Sequence, residues 1–379
     1  MEETYRRKSE VMILPAYLNT KIAKTVIAAL LGAIMLLPFK GVLSSLILFA
    51  AIASVLTVIS LSGKIRVPSA FSTIPAVIKR NKTCIALSLA GILAACPLVL
   101  NNYFIDVLIM AGIYSILAIG LNVIVGFTGL LNLGFAAFYA CGAYTYALLN
   151  TKIGLGFWVC LPVSALLTSC AGFLLAVPAL RLRGDYLAIV TLGFGEITRL
   201  ILNNWDSLTH GPNGITGIEA PTIAGISLRD LHYYYYIVFG ILAVSLLIIR
   251  RVEMSRFGRA WKAIKENEIA ASTIGINTTK YKLFAFAFGS FWAGIAGMLF
   301  AAKMQFVSPE SFTFMESVLI LSMVILGGLG NTYGAVLGAF LLVMLPEALR
   351  EMQLYRMLIL GMGLVLLMRF RPQGLLGVK

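Results

Sequence analysis

The chain has 379 residues, of which 60% are hydrophobic and only 12% charged, and its mean hydropathy is +0.93. Soluble domains carry about 25% charged residues, so this sequence cannot coat a globule in water and its solvent is largely lipid. Lys and Arg number 30 against 16 Asp and Glu, but the cations gather at the ends of apolar runs, where they mark cytoplasmic loops and not a nucleic-acid partner.

A spanning helix needs about 20 mostly apolar residues to cross a hydrocarbon core of about 30 Å. The first two apolar runs lie near 22–39 and 42–62, joined at Pro38-Phe39-Lys40-Gly41. Arg6-Arg7-Lys8 ahead of them fits the start of a secretory signal, but no small-residue cleavage site follows, so the pair reads as a retained hairpin. The basic stretch 64–82, with Pro68 and Pro75, then sets a boundary. The expected organisation is an N-terminal transmembrane hairpin with a basic cytoplasmic linker over 1–82, followed by a core over 83–379.

In the core, apolar runs lie near 83–100, 104–126, 134–150, 157–177, 185–203, 233–250, 283–302, 315–330, 333–349 and 355–369. They are too long and too continuously apolar for barrel strands. Several are short or broken by glycine, as re-entrant segments are. The fold class expected is all-α, a polytopic membrane protein of ten to twelve transmembrane or re-entrant helices. With the N-terminus inside, the ends and loops 1–21, 63–82, 178–184, 250–282 and 369–379, counted with Lys24, hold 23 of the 30 cations. That asymmetry predicts that both termini are cytoplasmic.

Little in the sequence suggests catalysis. It has no GxxxxGK[ST], GxSxG or HExxH pattern. His210 and His232 both fall in the polar, outward loop 204–232 and read as solvated residues. The cysteines at 84, 96, 141, 160 and 170 form no CxxC pair and read as small buried hydrophobes. No metal site and no enzyme activity are expected, and a translocation pore is the default.

The most distinctive cytoplasmic feature is 250–282. Phe257, Trp261 and Ile264 recur at helical spacing, giving a short amphipathic helix with a Lys/Arg face. Ala270 and Ala271 permit close approach of another surface, and Gly275 can end a helix in the left-handed conformation. An apolar face outside the membrane calls either for a protein partner or for the lipid headgroups.

Within the core, Gly126, Gly129 and Gly134 interrupt what is otherwise one long helix. Freed backbone groups are tolerated in a membrane only where they line a cavity or meet protein. Asn122, Thr128 and Asn132 beside the break are suited to a zwitterionic substrate; equally, the glycines serve helix packing and the asparagines bond across helices. Glu196 and Arg199 lie three residues apart on one helical face, placed for a substrate or for each other. Gly334 with Gly338, and Ser290 with Gly294 and Gly297, form small-residue stripes that read as helix contact faces. Thr209–Gly217 reads as an ordered, turn-rich connection.

Two sets of residues carry a resemblance. Glu268, Ala270, Ala271 and Gly275 resemble the EAA loop by which permeases of ABC importers dock their ATPases, although Ile269 separates Glu268 from the alanine pair. Gly120 to Gly134, Val307 to Phe314, Val324 to Gly330 and Phe370 to Gly377 are similar, in that order, to the LivM-type subunit of branched-chain amino-acid permeases. The resemblance spans roughly 104–377, and the hairpin before it is like the extra region many such subunits carry. It implies a multi-pass subunit of a bacterial plasma membrane that translocates branched-chain amino acids. It also implies a homologous permease as partner, two cytoplasmic ATPases and an extracytoplasmic solute-binding protein. This chain would bind no cofactor, with ATP and Mg held by the ATPases. The implied pathway residues are Asn122, Thr128, Gly129, Asn132, Gly134 and Glu196. The implied docking residues are Phe257, Trp261, Glu268, Ala270, Ala271 and Gly275, and the loop 204–232 is the docking surface for the solute-binding protein. The alternatives are a urea, amide or broad-specificity amino-acid permease, and an ion-coupled carrier using Glu196 and Glu316.

Overall fold

The computed structural model describes residues 101–180, 182, 184–223, 226–227 and 230–348, with Pro97 and short pieces between 361 and 376. The expected hairpin, the basic linker, and the segments near 83–100 and 355–369 lie wholly or largely outside the described residues, as do Cys84 and Cys96. The described residues within 93–344 and 357–379 belong to one compact unit, and the end of the helix Thr332–Ala348, from Leu345 on, belongs to a second.

The described residues are mostly helical. In chain order the α-helices of six or more residues are α1 (Asn102–Leu121), α2 (Phe135–Ile153), α3 (Phe157–Ala179), α4 (Asp185–Asn204), α5 (Leu231–Met254), α6 (Arg256–Glu266), α7 (Glu268–Thr273), α8 (Thr278–Met304), α9 (Phe314–Gly327) and α10 (Thr332–Ala348). Each core run between 104 and 349 read from the sequence is a helix here, with ends shifted by a few residues. Among the described residues three stretches can cross a bilayer by length and composition: Asn102–Phe127, Phe157–Ala179 and Thr278–Met304; α9 and α10 are shorter apolar helices.

Helix α8 is the centre of the bundle, packed against α3, α2 and α1, while α5 and α9 lie against α1. Buried nearly all round, α1 and α8 show no amphipathic stripe, as expected of helices enclosed by other helices. By contrast α3 exposes Leu166, Leu167, Phe173 and Leu174, and α4 exposes Ile189, Ile197 and Ile201. Such faces suit lipid or a partner subunit.

Small residues set the closest approaches. A methyl group added at Gly142 of α2 would collide with the backbone of Gly294 of α8, and one at Gly338 of α10 would collide with the Met323 carbonyl of α9. Ser290 likewise meets Gly172. The two stripes read from the sequence are therefore contact faces within this chain, where close van der Waals packing holds helices together in place of hydrophobic exclusion.

Ion pairs fix both ends of α8. At one end Lys282, 6% exposed, pairs with Glu268; at the other, Lys303 pairs with Asp106 of α1 at 2.9 Å. In the connection between α4 and α5, Thr209–Gly217 is ordered as expected. Its strand β1 (Ile215–Thr216) pairs antiparallel with β4 (Phe306–Val307), beside the end of α8, and β2 (Thr222–Ile223) pairs with β3 (Ile226–Ser227). Tyr146 Oη donates to the Glu219 carbonyl at 2.7 Å, and the Glu219 amide donates to Asn150 Oδ1 at 2.8 Å, tying the loop to α2. His210 stands exposed in a left-handed turn (φ 60°).

Candidate functional site

The segment 255–277 is a run of capped turns. Ser255 accepts from the Phe257 amide at 3.1 Å and starts α6. Asn267 accepts from the Ile269 and Ala270 amides, both at 3.0 Å, and starts α7. Asn277 accepts from the Lys280 amide at 3.1 Å and starts α8. Each cap satisfies amides that a helix start leaves without an intrahelical partner. Helix α7 closes as a Schellman motif, with Gly275 N–H donating to the Ser272 carbonyl and Ile276 N–H to the Ala271 carbonyl. Gly275 sits at φ 87°, which a side chain would strain.

The apolar stripe of α6 is not free for a partner or for lipid, as its spacing suggests. It is covered by this chain's own helices. Trp261 is fully buried, its ring stacked on Phe127 at 6.4 Å and on Phe284 at 5.7 Å, and its Nε1 donates to the Tyr281 carbonyl at 2.9 Å. Phe257 packs on Phe284 at 4.9 Å, and Ile264 is buried beside them. Helix α7 presents the outer surface instead: Ile269 is 68% exposed and Ile274 74%, with Ala270 between them, while Ala271 is turned inward.

The docking set thus divides by role. Phe257, Trp261, Ala271 and Gly275 hold the element in place, and Glu268 anchors it through Lys282 of α8. Ala270 and Gly275 are the exposed members of that set, and Ala270 lies on the free surface between Ile269 and Ile274. These two isoleucines, and Lys282, escaped the sequence reading. The visible signal was two bulky apolar residues flanking the alanine pair.

The break after α1 is real. The helix continues as a π-helical turn, Asn122–Phe127, and then gives way to an irregular segment up to Gly134. Asn122, Thr128 and Asn132 beside it are buried and committed to the fold. Asn122 Oδ1 accepts from the Gly330 amide at 2.9 Å, Thr128 Oγ1 donates to the Ile124 carbonyl, and Asn132 Oδ1 accepts from the Gly134 amide at 2.9 Å. The Nδ2 groups of Asn122 and Asn132 are buried with no hydrogen-bond partner in the structure. Gly129 is exposed at φ 73°, and Gly134 abuts Thr191 of α4.

The Gly126 carbonyl, freed by the break, accepts from Lys265 Nζ at 2.8 Å. Burial first, and the neighbouring Lys262 second, push the Lys265 ammonium below its usual range. Lys262 itself pairs with Glu253 at 2.8 Å and stands over the Phe127 ring.

A narrow cleft opens between the start of α2, the middle of α4 and the start of α9, lined by Leu133, Ala136, Gly195, Glu196, Phe312 and Ser317. The structure brings Glu196 to this cleft and Gly134 to its edge, but not Asn122, which faces the turn at Gly330. Glu196 is also bound to Arg199 at 3.0 Å, so the charge pair serves itself first. Glu316, at the start of α9, accepts a hydrogen bond from Tyr114. Among the described residues no three His, Cys, Asp or Glu side chains gather to hold a metal ion.

Residues 103–368 match the family described as the permease component of branched-chain amino acid transport systems. The chain belongs to this family. The permease is 47% identical to the high-affinity branched-chain amino acid transport system permease protein LivM of Salmonella typhimurium, over 76% of this chain and 74% of that one. It is 46% identical to LivM of Escherichia coli, over 79% and 75%. A weaker similarity, 26% identity over 70% of this chain and 91% of the relative, links it to the permease protein LivH of Escherichia coli. No solved structure matches it. It is therefore a multi-span membrane permease component and not a catalytic subunit, and membership sets aside the ion-coupled carrier.

Proposed function

We propose that this permease is one of two homologous membrane subunits of an ABC importer, and that two cytoplasmic ATPases, hydrolysing ATP with Mg, drive branched-chain amino acids through it. The observation that carries this reading is the exposed ridge Ile269–Ala270–Ile274 on a six-residue helix whose other side is locked to the membrane bundle. An apolar ridge on a rigid mount, outside the apolar run of any spanning helix, suits a protein groove better than water. In this arrangement ten to twelve helices span or re-enter the bilayer, both termini are cytoplasmic, and the hairpin and linker of 1–82 precede the core. A solute-binding protein docks on the stitched loop 204–232. The pathway passes the cleft at Glu196, with the broken end of α1 and its Asn122, Thr128, Gly129, Asn132 and Gly134 as its wall.

The test is co-purification of the permease with its homologous partner and the ATPases, comparing wild type with Ala270→Arg. Ala270 is exposed, so an arginine there leaves α6 and α7, the cytoplasmic hairpin, folded and wedges the surface apart. The expected result is at least a tenfold loss of bound ATPase with the permease pair intact. ATPases that remain bound to Ala270→Arg would remove α7 from the interface, and ATPases absent from wild type would defeat the importer reading.

A further inference from the structure

Helix α6 meets the broken end of α1 at three points: the Trp261–Phe127 stack, the Lys262 ammonium 5.8 Å from the Phe127 ring centre, and the Lys265 hydrogen bond to the Gly126 carbonyl. These differ in kind. Stacked rings and a cation over a ring tolerate sliding, because their energy varies slowly with offset. A charge-assisted hydrogen bond at 2.8 Å is directional and is lost within a fraction of an ångström. An ammonium at a helix C-terminus also satisfies a carbonyl that the helix leaves open and opposes the negative end of its dipole.

The point that Lys265 touches is itself a junction. Gly126 lies against the turn between α9 and α10, where a Cβ at Gly330 would stand 3.1 Å from the Gly126 oxygen and 3.6 Å from Lys265 Nζ. Asn122 fastens the same turn through the Gly330 amide. The turn is braced from its other side, where Leu375 and Leu376 amides donate to the Leu326 and Gly327 carbonyls. From there α9, a rod about 21 Å long at 1.5 Å per residue, runs to Ser317 and Phe314 at the cleft that holds Glu196.

We propose that Lys265 is the positioning residue that transmits displacement of the cytoplasmic hairpin to the α1 break and the α9–α10 turn, and so couples ATP hydrolysis to opening of the cleft. This rests on the docking reading above. Lys265 touches no substrate; it ties the element the ATPases move to the backbone that shapes the pathway. Removing it leaves Trp261 to hold the hairpin, so the ATPases still bind and turn over while their stroke no longer reaches the cleft.

The experiment reconstitutes the full complex, with its binding protein, in proteoliposomes and measures radiolabelled leucine taken up per ATP hydrolysed. Wild type is compared with Lys265→Met, Lys265→Arg and Lys262→Gln. Lys265→Met should keep its ATPases and raise ATP consumed per leucine at least tenfold. Lys265→Arg, which can still donate to the Gly126 carbonyl, should recover most of the wild-type ratio, and Lys262→Gln should keep it. An unchanged ratio in Lys265→Met overturns the proposal while leaving docking intact, as does loss of ATPase binding in that variant, which would make Lys265 a docking residue only. If Lys265→Met does not reach the membrane, Lys265→Gln takes its place and is read by the same ratio. ATPases missing from the wild-type complex would sink the docking reading and this proposal together.

Discussion

Replacing Trp261 with alanine should detach the α6–α7 hairpin without unfolding the bundle. The indole is fully buried between Phe127 and Phe284 and donates to the Tyr281 carbonyl. A buried tryptophan removes about 150–250 Å² from water, worth about 4–6 kcal/mol at 25 cal/mol per Å². Large-to-small core substitutions of this kind cost about 3–5 kcal/mol, and the lost hydrogen bond falls inside that range. Because α6 and α7 are otherwise held mainly by Phe257, Ile264 and the Glu268–Lys282 pair, the loss falls on local opening. At 1.4 kcal/mol per decade, about 4 kcal/mol raises the open fraction roughly a thousandfold. Hydrogen exchange followed by mass spectrometry should show α6 amides exchanging that much faster, with α1 and α8 unaffected. Trp261→Phe, which keeps most of the area and loses the hydrogen bond, should shift exchange by roughly tenfold. Equal protection of α6 in wild type and Trp261→Ala would refute the assignment of Trp261 as the anchor.

The remaining predictions concern charge. Glu268→Gln should destabilise the permease by about 1–3 kcal/mol, because Lys282 is left buried without its counter-charge; the same substitution in a Lys282→Met background should cost much less, as a thermal-stability double-mutant cycle reads out. The Lys265 amine should titrate below the ordinary lysine value of 10.5, followed by NMR of ¹³C-methylated lysines, and Lys262→Gln should move it upward by removing the like charge. Since the folded amine binds its proton less tightly than the unfolded one, the folded state holds fewer protons between its own pKa and 10.5. The hairpin should then gain stability as pH rises through that window.

The helix boundaries were legible because apolar runs of membrane length admit few alternatives, and the stripes at Ser290–Gly297 and Gly334–Gly338 proved to be contact faces. Gly275 was legible as well, since a glycine after an alanine pair signals a left-handed helix end. The burial of Trp261 was not. Periodicity reveals that α6 has an apolar face but not what covers it, and the covering residues, Phe127 and Phe284, lie 134 residues before and 23 after it. Asn122 and Asn132 carried the same ambiguity: a polar residue beside a break is equally fit to bind a ligand or to fasten the break, and the structure supplies the fastening partners, the Gly330 and Gly134 amides. Lys265 looked like one more cation on a solvated face, and only the fold shows which carbonyl it reaches.

The two ion pairs of α8 limit the ways this bundle can change shape. The helix is about 40 Å long at 1.5 Å per residue, and Lys282 and Lys303 sit near its opposite ends, each matched to a carboxylate on a different neighbouring element. Sliding α8 along its own axis by one turn, about 5.4 Å, would break both pairs at once and strand two largely buried ammonium groups. Tilting it about its glycine-lined waist, where Gly294 and Gly297 meet α2, leaves both tethers within reach. The two tethers thus oppose a piston-like slide of the central pillar more than a tilt about that waist.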